Sequence, residues 1–250
     1  MLRSRIVPCL LMHDGGLVKT RQFKDPKYVG DPLNAVKIFN EKEVDELMFL
    51  DIDASAHGRE PNLALLRSLA VESRMPLCYG GGITAAAQAS RIVALGFEKV
   101  SISSAALRRP DLIREMSEAI GSQSVVVTLD VRRNRLLGGY AVFTRNGQDK
   151  QKVDLVEFCQ RVEALGAGEI VINSIDRDGD MGGYDLELAR RVRAAVSLPM
   201  SVLGGAGSVE DMKALIEAVG IVGAAAGSMF VFKGPYRAVL INYARPERLG

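Results

Sequence analysis

The sequence predicts a (β/α)8 barrel, and three observations predict it. Short β-branched runs alternate with helical patterns from end to end, eight such runs occur in 250 residues, and features of the first half recur in the second at one offset. Such alternation builds successive βα units around a parallel sheet, and eight units close it into a TIM barrel. The chain reads as one domain over residues 1–250, with half-barrels of about 1–122 and 123–250.

The predicted strands are 6–11, 47–52, 76–79, 100–103, 125–130, 170–174, 200–203 and 221–226. Each is a short apolar or β-branched run, as expected of strands buried on both faces. Between them lie amphipathic stretches such as 63–72 and 186–195, whose apolar residues recur at helical spacing. An offset of 123 carries Glu46 onto Glu169, Asp53 onto Asp176, and Gly81-Gly82 onto Gly204-Gly205. That coincidence at equivalent points of the two halves predicts a duplicated half-barrel.

The composition is 48% hydrophobic and 25% charged, enough for a substantial core. A net charge of +2, from 32 basic and 30 acidic residues, lacks the electrostatic footprint of a nucleic-acid binder. No run of 18 apolar residues or signal segment is evident, so a cytoplasmic, soluble chain without a membrane partner is expected. Cys9, Cys78 and Cys159 are widely spaced in apolar runs and read as buried free thiols rather than disulfides or metal ligands. No metal or cofactor is expected.

In such a barrel the chemistry belongs to the loops at the C-terminal ends of the strands. Gly80-Gly81-Gly82-Ile83 follows the third strand and Ser104 the fourth; Gly204-Gly205-Ala206-Gly207 follows the seventh and Gly227-Ser228 the eighth. Glycine turns bring backbone N–H groups close to a phosphate and serines add donors. Two such sets across one mouth suggest a ligand with a phosphate at each end. Over the axis stand Asp51, Asp53, Asp130, Asp176 and Asp178, each a candidate acid, base or loop cap. Asp130, ending an apolar run, is the best placed for proton transfer. Lys19, beyond the first strand, could close over a phosphate or carbonyl, or be an ordinary solvated lysine. At a local offset of 119, Asp130 aligns with Leu11, so one half offers a titratable group where the other offers an apolar wall.

At the opposite end, Arg5, Glu46, Lys99 and Glu169 each stand just before an inner strand. Two cations and two anions around that opening form either an ion-paired plug or a polar gate.

These residues resemble the cyclase subunit of imidazole glycerol phosphate synthase. The likeness runs through Arg5-Ile6-Val7-Pro8-Cys9-Leu10, Gly30-Asp31-Pro32, Leu50-Asp51-Ile52-Asp53-Ala54-Ser55, Gly80-Gly81-Gly82-Ile83, Gly166-Ala167-Gly168-Glu169, and Ser174-Ile175-Asp176-Arg177-Asp178-Gly179 with Gly183-Tyr184-Asp185. The resemblance implies a glutaminase subunit docked at the N-terminal end of the barrel. Ammonia would pass Arg5, Glu46, Lys99 and Glu169 and travel through the interior to a bis-phosphorylated ribonucleotide. It also implies phosphate contacts from Gly82, Ser104, Gly205 and Ser228 and makes Asp130 one of two catalytic aspartates; Lys19, Asp176, Gly179 and Gly227 are further candidate ligand contacts at the same mouth. The second catalytic position is Leu11, and Leu203 is apolar where the family usually carries a small hydroxyl residue.

Three readings follow. In the first, resembling paralogues associated with bacterial surface polysaccharides, the barrel channels ammonia to a separate ATP-dependent sugar amidotransferase. In the second it is a histidine-pathway cyclase. In the third it is a non-catalytic scaffold for a phosphorylated metabolite.

Overall fold

A computed structural model describes residues 3–134, 138–234 and 236–243. Eight strands form the barrel: β1 (Arg5–His13), β2 (Leu47–Asp51), β3 (Leu77–Gly80), β4 (Lys99–Ile102), β5 (Val125–Arg133), β6 (Glu169–Ser174), β7 (Met200–Leu203) and β8 (Gly223–Ala226). Each pairs in parallel with its sequence neighbours, and β8 pairs with β1, so the sheet closes on itself. The β5–β6 register sets Asn173 opposite Asp130.

Helices fill the returns, including Pro32–Lys42, Leu63–Glu72, Ala86–Ala94, Asp111–Ile120, Leu155–Ala164, Leu186–Arg193 and Val209–Val219. Side chains satisfy several of their first N–H groups: Asp31, Asn62, Asp154, Asp185 and Ser208 accept from the opening turns of their helices. None of these helices is long and apolar enough to cross a membrane, nor is any other among the described residues.

Apolar side chains form two layers. The larger lies between strands and helices and includes Ile6, Phe39, Phe49, Tyr79, Leu129 and Phe230. The smaller fills the barrel axis with Val7, Cys9, Met48, Cys78, Val126, Val171, Leu203 and Ala225, with Leu11 and Leu50 packed against it. Strand alternation produces this division: successive residues face the axis and the helices in turn. All three cysteines are free and buried.

The strand bounds shift where local chemistry dictates. Pro76 has no N–H to donate, and β3 begins at Leu77 while the Pro76 carbonyl accepts the Leu47 N–H at 2.9 Å. β4 starts with Lys99 and ends at Ile102, one residue earlier at each end than predicted. β8 starts at Gly223; Ile221 lies in the preceding turn, 55% exposed. β1 and β5 run past their predicted ends because each folds back as an antiparallel extension. β1 pairs with Gly16–Arg21, which pairs with Lys24–Gly30, and β5 pairs with Tyr140–Thr144, which pairs with Asp149–Lys150. These extensions rise over the C-terminal mouth.

Candidate functional site

The narrow end of the axis is closed by charge. Arg5 bonds Glu46 and, at 2.8 Å, Glu169. Lys99 Nζ donates to Glu46 at 2.9 and 3.0 Å and to Glu169 at 2.9 Å. The Ser201 hydroxyl donates to Glu169 Oε1 at 2.5 Å. Glu46 and Glu169 are each only 4% exposed, and Lys99 is 8% exposed. Burial opposes charge on every member, so the ring exists only because each charge faces two of opposite sign. The surrounding cations and the Ser201 hydroxyl outweigh burial at Glu169 and lower its pKa. At Glu46, burial and the facing Glu169 charge prevail and raise it. The four residues predicted to gather here do so.

Above this ring the axis is mostly apolar, through Val7, Met48, Cys78, Val126 and Val171 to Cys9 and Ala225, with the buried Ser101 and Thr128 hydroxyls bonded to each other on one side.

The mouth has two lobes meeting at Leu11, Phe23 and Asn173. The first is lined by Leu50, Gly80 to Gly82, Ser101 to Ser104, Thr128 and Asp130. Asp130 Oδ1 accepts from Asn173 Nδ2 at 2.9 Å. Loss of water pushes the Asp130 pKa up to about 7, against the pull of that hydrogen bond. The group can therefore give or take a proton near neutrality. Ser101 and Thr128 share a hydrogen bond of 2.7 Å beneath it, whereas Ser103 Oγ and Asn173 Oδ1 have no partner among the described residues. Gly82 N–H donates to Ser55 Oγ at 3.2 Å. A Cβ at Gly82 would stand 2.4 Å from the Arg59 carbonyl, so the turn requires glycine for close backbone approach as well as for its positive φ.

The second lobe is lined by Cys9, Lys19, Asp178, Gly179, Leu203 to Ala206 and Ala226 to Ser228. Lys19 is not a solvated loop lysine. It is 5% exposed, and its Nζ donates to the Cys9 carbonyl at the base of the lobe. Burial lowers its pKa, and the Cys9 and Asp178 charges only partly counter that effect. Arg237 reaches the same lobe from the rim, donating to the Gly179 carbonyl at 3.2 Å and toward Ser228 Oγ at 3.5 Å.

The other strand-end carboxylates hold loops. Asp51 accepts from the N–H groups of Asp53 and Ala54. Asp53 takes His13 Nδ1 and Asp14 N–H, both at 2.8 Å, and Arg59 lies at 3.3 Å. Although His13, Asp14 and Asp53 place ligand-type atoms within 4.8 Å, this hydrogen bonding accounts for the cluster. Asp178 accepts from Thr20 Oγ1 at 2.6 Å and Phe23 N at 3.1 Å, pinning the β1 extension. Asp176, predicted to meet the ligand, accepts from Arg133 N–H at 2.8 Å and lines grooves beside the two lobes. Sequence reasoning missed Asn173 and Arg237. Asn173 had a usable signal, a polar residue in an otherwise apolar inner strand.

Charge closes one end of this barrel, its axis is mostly apolar, and a two-lobed polar mouth opens at the other. That architecture defines a (β/α)8 barrel built to bind a small polar ligand at the C-terminal ends of its strands. The chain belongs to the histidine biosynthesis protein family, whose model matches residues 5–236. It is 56% identical over 247 residues to a Vibrio vulnificus protein provisionally named imidazole glycerol phosphate synthase subunit hisF3, covering 99% of this chain and 95% of that one. Identity to a Pseudomonas aeruginosa protein provisionally named subunit hisF2 is 51% over 249 residues, with 100% and 99% of the two chains covered. Subunit HisF of imidazole glycerol phosphate synthase from Thermobifida fusca is 40% identical over 235 residues, with coverage of 92% and 91%. This is a HisF-like protein of the imidazole glycerol phosphate synthase cyclase family.

Proposed function

We propose that this chain is the barrel subunit of a glutamine-dependent amidotransferase. A glutaminase subunit docks at the Arg5, Glu46, Lys99 and Glu169 end, and its ammonia passes along the mostly apolar axis to the mouth. The single observation carrying this reading is the pairing of an intact charged ring below with Leu11 above. The residues that the resemblance assigns to ammonia entry are present, while leucine stands where it expects the second of two opposed proton-transfer groups. Loss of a general acid or base costs roughly 10²- to 10⁴-fold, and leucine has no atom to replace it. The ammonia therefore serves a separate ATP-dependent enzyme, with amidination of a surface-polysaccharide sugar as the consuming reaction. The mouth keeps a phosphorylated ligand on Lys19, Gly82, Ser104, Gly179, Gly205, Gly227 and Ser228.

One observation favours a second reading, a histidine-pathway cyclase: Asp130 retains a pKa of about 7 beside Asn173, and the relatives carry that synthase's name. The half-barrel repeat fits either reading, since the glycine loop of the first lobe, Gly80 to Gly82, lies in the first half and that of the second, Gly204 and Gly205, in the second.

The test is coupling. With the glutaminase and the amidotransferase present, Lys99→Ala should leave glutamine hydrolysis running while product per glutamine falls. Unchanged coupling in a folded variant contradicts the conducting role.

A further inference from the structure

We propose that Lys19 is an amine nucleophile, condensing with the carbonyl carbon of a phosphorylated ketone or aldehyde held in the second lobe of the mouth. The proposal rests on the reading of that lobe as a phosphate site, and it adds a reaction there.

Four observations carry it. Lys19 is 95% buried in relative terms, being 5% exposed, yet no carboxylate lies within ion-pair distance of it among the described residues. Its Nζ bonds only a neutral acceptor, the Cys9 carbonyl, and lies against Gly227, where a Cβ would collide with it. The lobe around it is partly apolar, with Leu11, Phe23, Leu203 and Ala226 limiting water. Arg237, nearer the rim and beside Ser228, can meet the phosphate charge and leave the amine free for other work.

A lysine stripped of water and counter-ion holds a larger share of free amine than a surface lysine, the condition that activates lysine for Schiff-base chemistry. Asp178 is the charged group facing it, and that carboxylate is occupied by Thr20 and Phe23. Across the mouth, Asn173 Oδ1 lines both lobes without a partner and can accept a hydrogen bond from a ligand hydroxyl. In the step itself the Nζ lone pair attacks the carbonyl carbon and the C=O π pair moves to oxygen. The nitrogen loses a proton as the oxygen gains one, giving a carbinolamine. Loss of one water then forms C=N, and no electron acceptor is needed.

The experiment uses the whole chain with dihydroxyacetone phosphate and sodium borohydride, which reduces an imine to a stable secondary amine, followed by peptide mass spectrometry. The expected result is one adduct on the Lys19 peptide, formed at least about 10-fold faster than on any other lysine at pH 7. It should be suppressed by excess inorganic phosphate and absent in Lys19→Arg. In the natural chain, trapping should reach half its maximal rate at a lower pH for Lys19 than for surface lysines, a readout independent of whether the variant folds. Adducts spread over surface lysines alike in both chains overturn the proposal. Line broadening of the inorganic phosphate ³¹P signal, lost in Ser228→Asp, reports the phosphate site separately. Broadening without a Lys19 adduct refutes the nucleophile alone; neither broadening nor adduct refutes both.

Discussion

The two ends of this barrel handle buried charge in opposite ways. At the narrow end Arg5 and Lys99 each bond both Glu46 and Glu169, and Ser201 completes the set. At the mouth, among the described residues, Lys19 has no counter-ion within ion-pair distance, Asp130 has Asn173 alone, and Ser103 Oγ and Asn173 Oδ1 have no partner. Satisfied groups make structure. Unsatisfied buried groups cost stability and persist where a ligand completes them. The contrast teaches that the mouth is the chemically unfinished end.

If that contrast holds, removing one member of the ring should hurt far more than removing a charge at the mouth. Glu169→Ala leaves Arg5 and Lys99 sharing one carboxylate and should lower unfolding free energy by about 3–5 kcal/mol in urea titration. A loss below about 1 kcal/mol would mean the ring is solvated. Gly205→Ala sharpens the same comparison sterically, because its Cβ would lie 2.1 Å from the Gly183 carbonyl at φ +109°. The expected cost is roughly 2–3 kcal/mol, with weakened phosphate binding.

Asp130→Asn should go the other way. The folded pKa of about 7 lies above the unfolded value near 3.8. The contribution of this group is therefore fully present below pH 3.8 and lost as pH rises through 7. Asparagine stays neutral, so the variant should come close to the natural chain at pH 4 and exceed it by roughly 4 kcal/mol at pH 8.5. A less stable variant at pH 8.5 would show that the ionised carboxylate is well accommodated. The smallest effect belongs to His13, whose pKa is raised chiefly by its bond to Asp53. That stabilisation is present below pH 6.5 and lost as pH rises through the raised value. His13→Ala should therefore cost under about 1 kcal/mol at pH 5.5 and less at pH 9, checked by thermal melting.

Most of the fold was legible because strands buried on both faces are apolar throughout, as in Val125-Val126-Val127 and Ile170-Val171-Ile172. The antiparallel extensions were not. Lys24–Gly30 is mostly exposed and carries Lys-Asp-Pro-Lys, with no alternation to announce a strand. Its pairing depends on Gly16–Arg21 rather than on burial. The ring was legible from position alone, since a charged residue opening or preceding an inner strand has only the barrel entrance to occupy. The burial of Lys19 was not, because it follows from how the β1 extension lies back over the mouth, held by Asp178. The bond from the Arg133 N–H to Asp176 was not legible for a related reason: it depends on the long end of β5 folding back beyond the barrel.

The most direct measurement is steady-state ring formation from the bis-phosphorylated ribonucleotide with excess ammonium, comparing the natural chain with Leu11→Asp. The expected result is no turnover by the natural chain and recovery in the variant, which would show an intact scaffold whose ammonia is used elsewhere. Robust turnover by the natural chain would contradict the argument from Leu11 and make this a histidine-pathway cyclase.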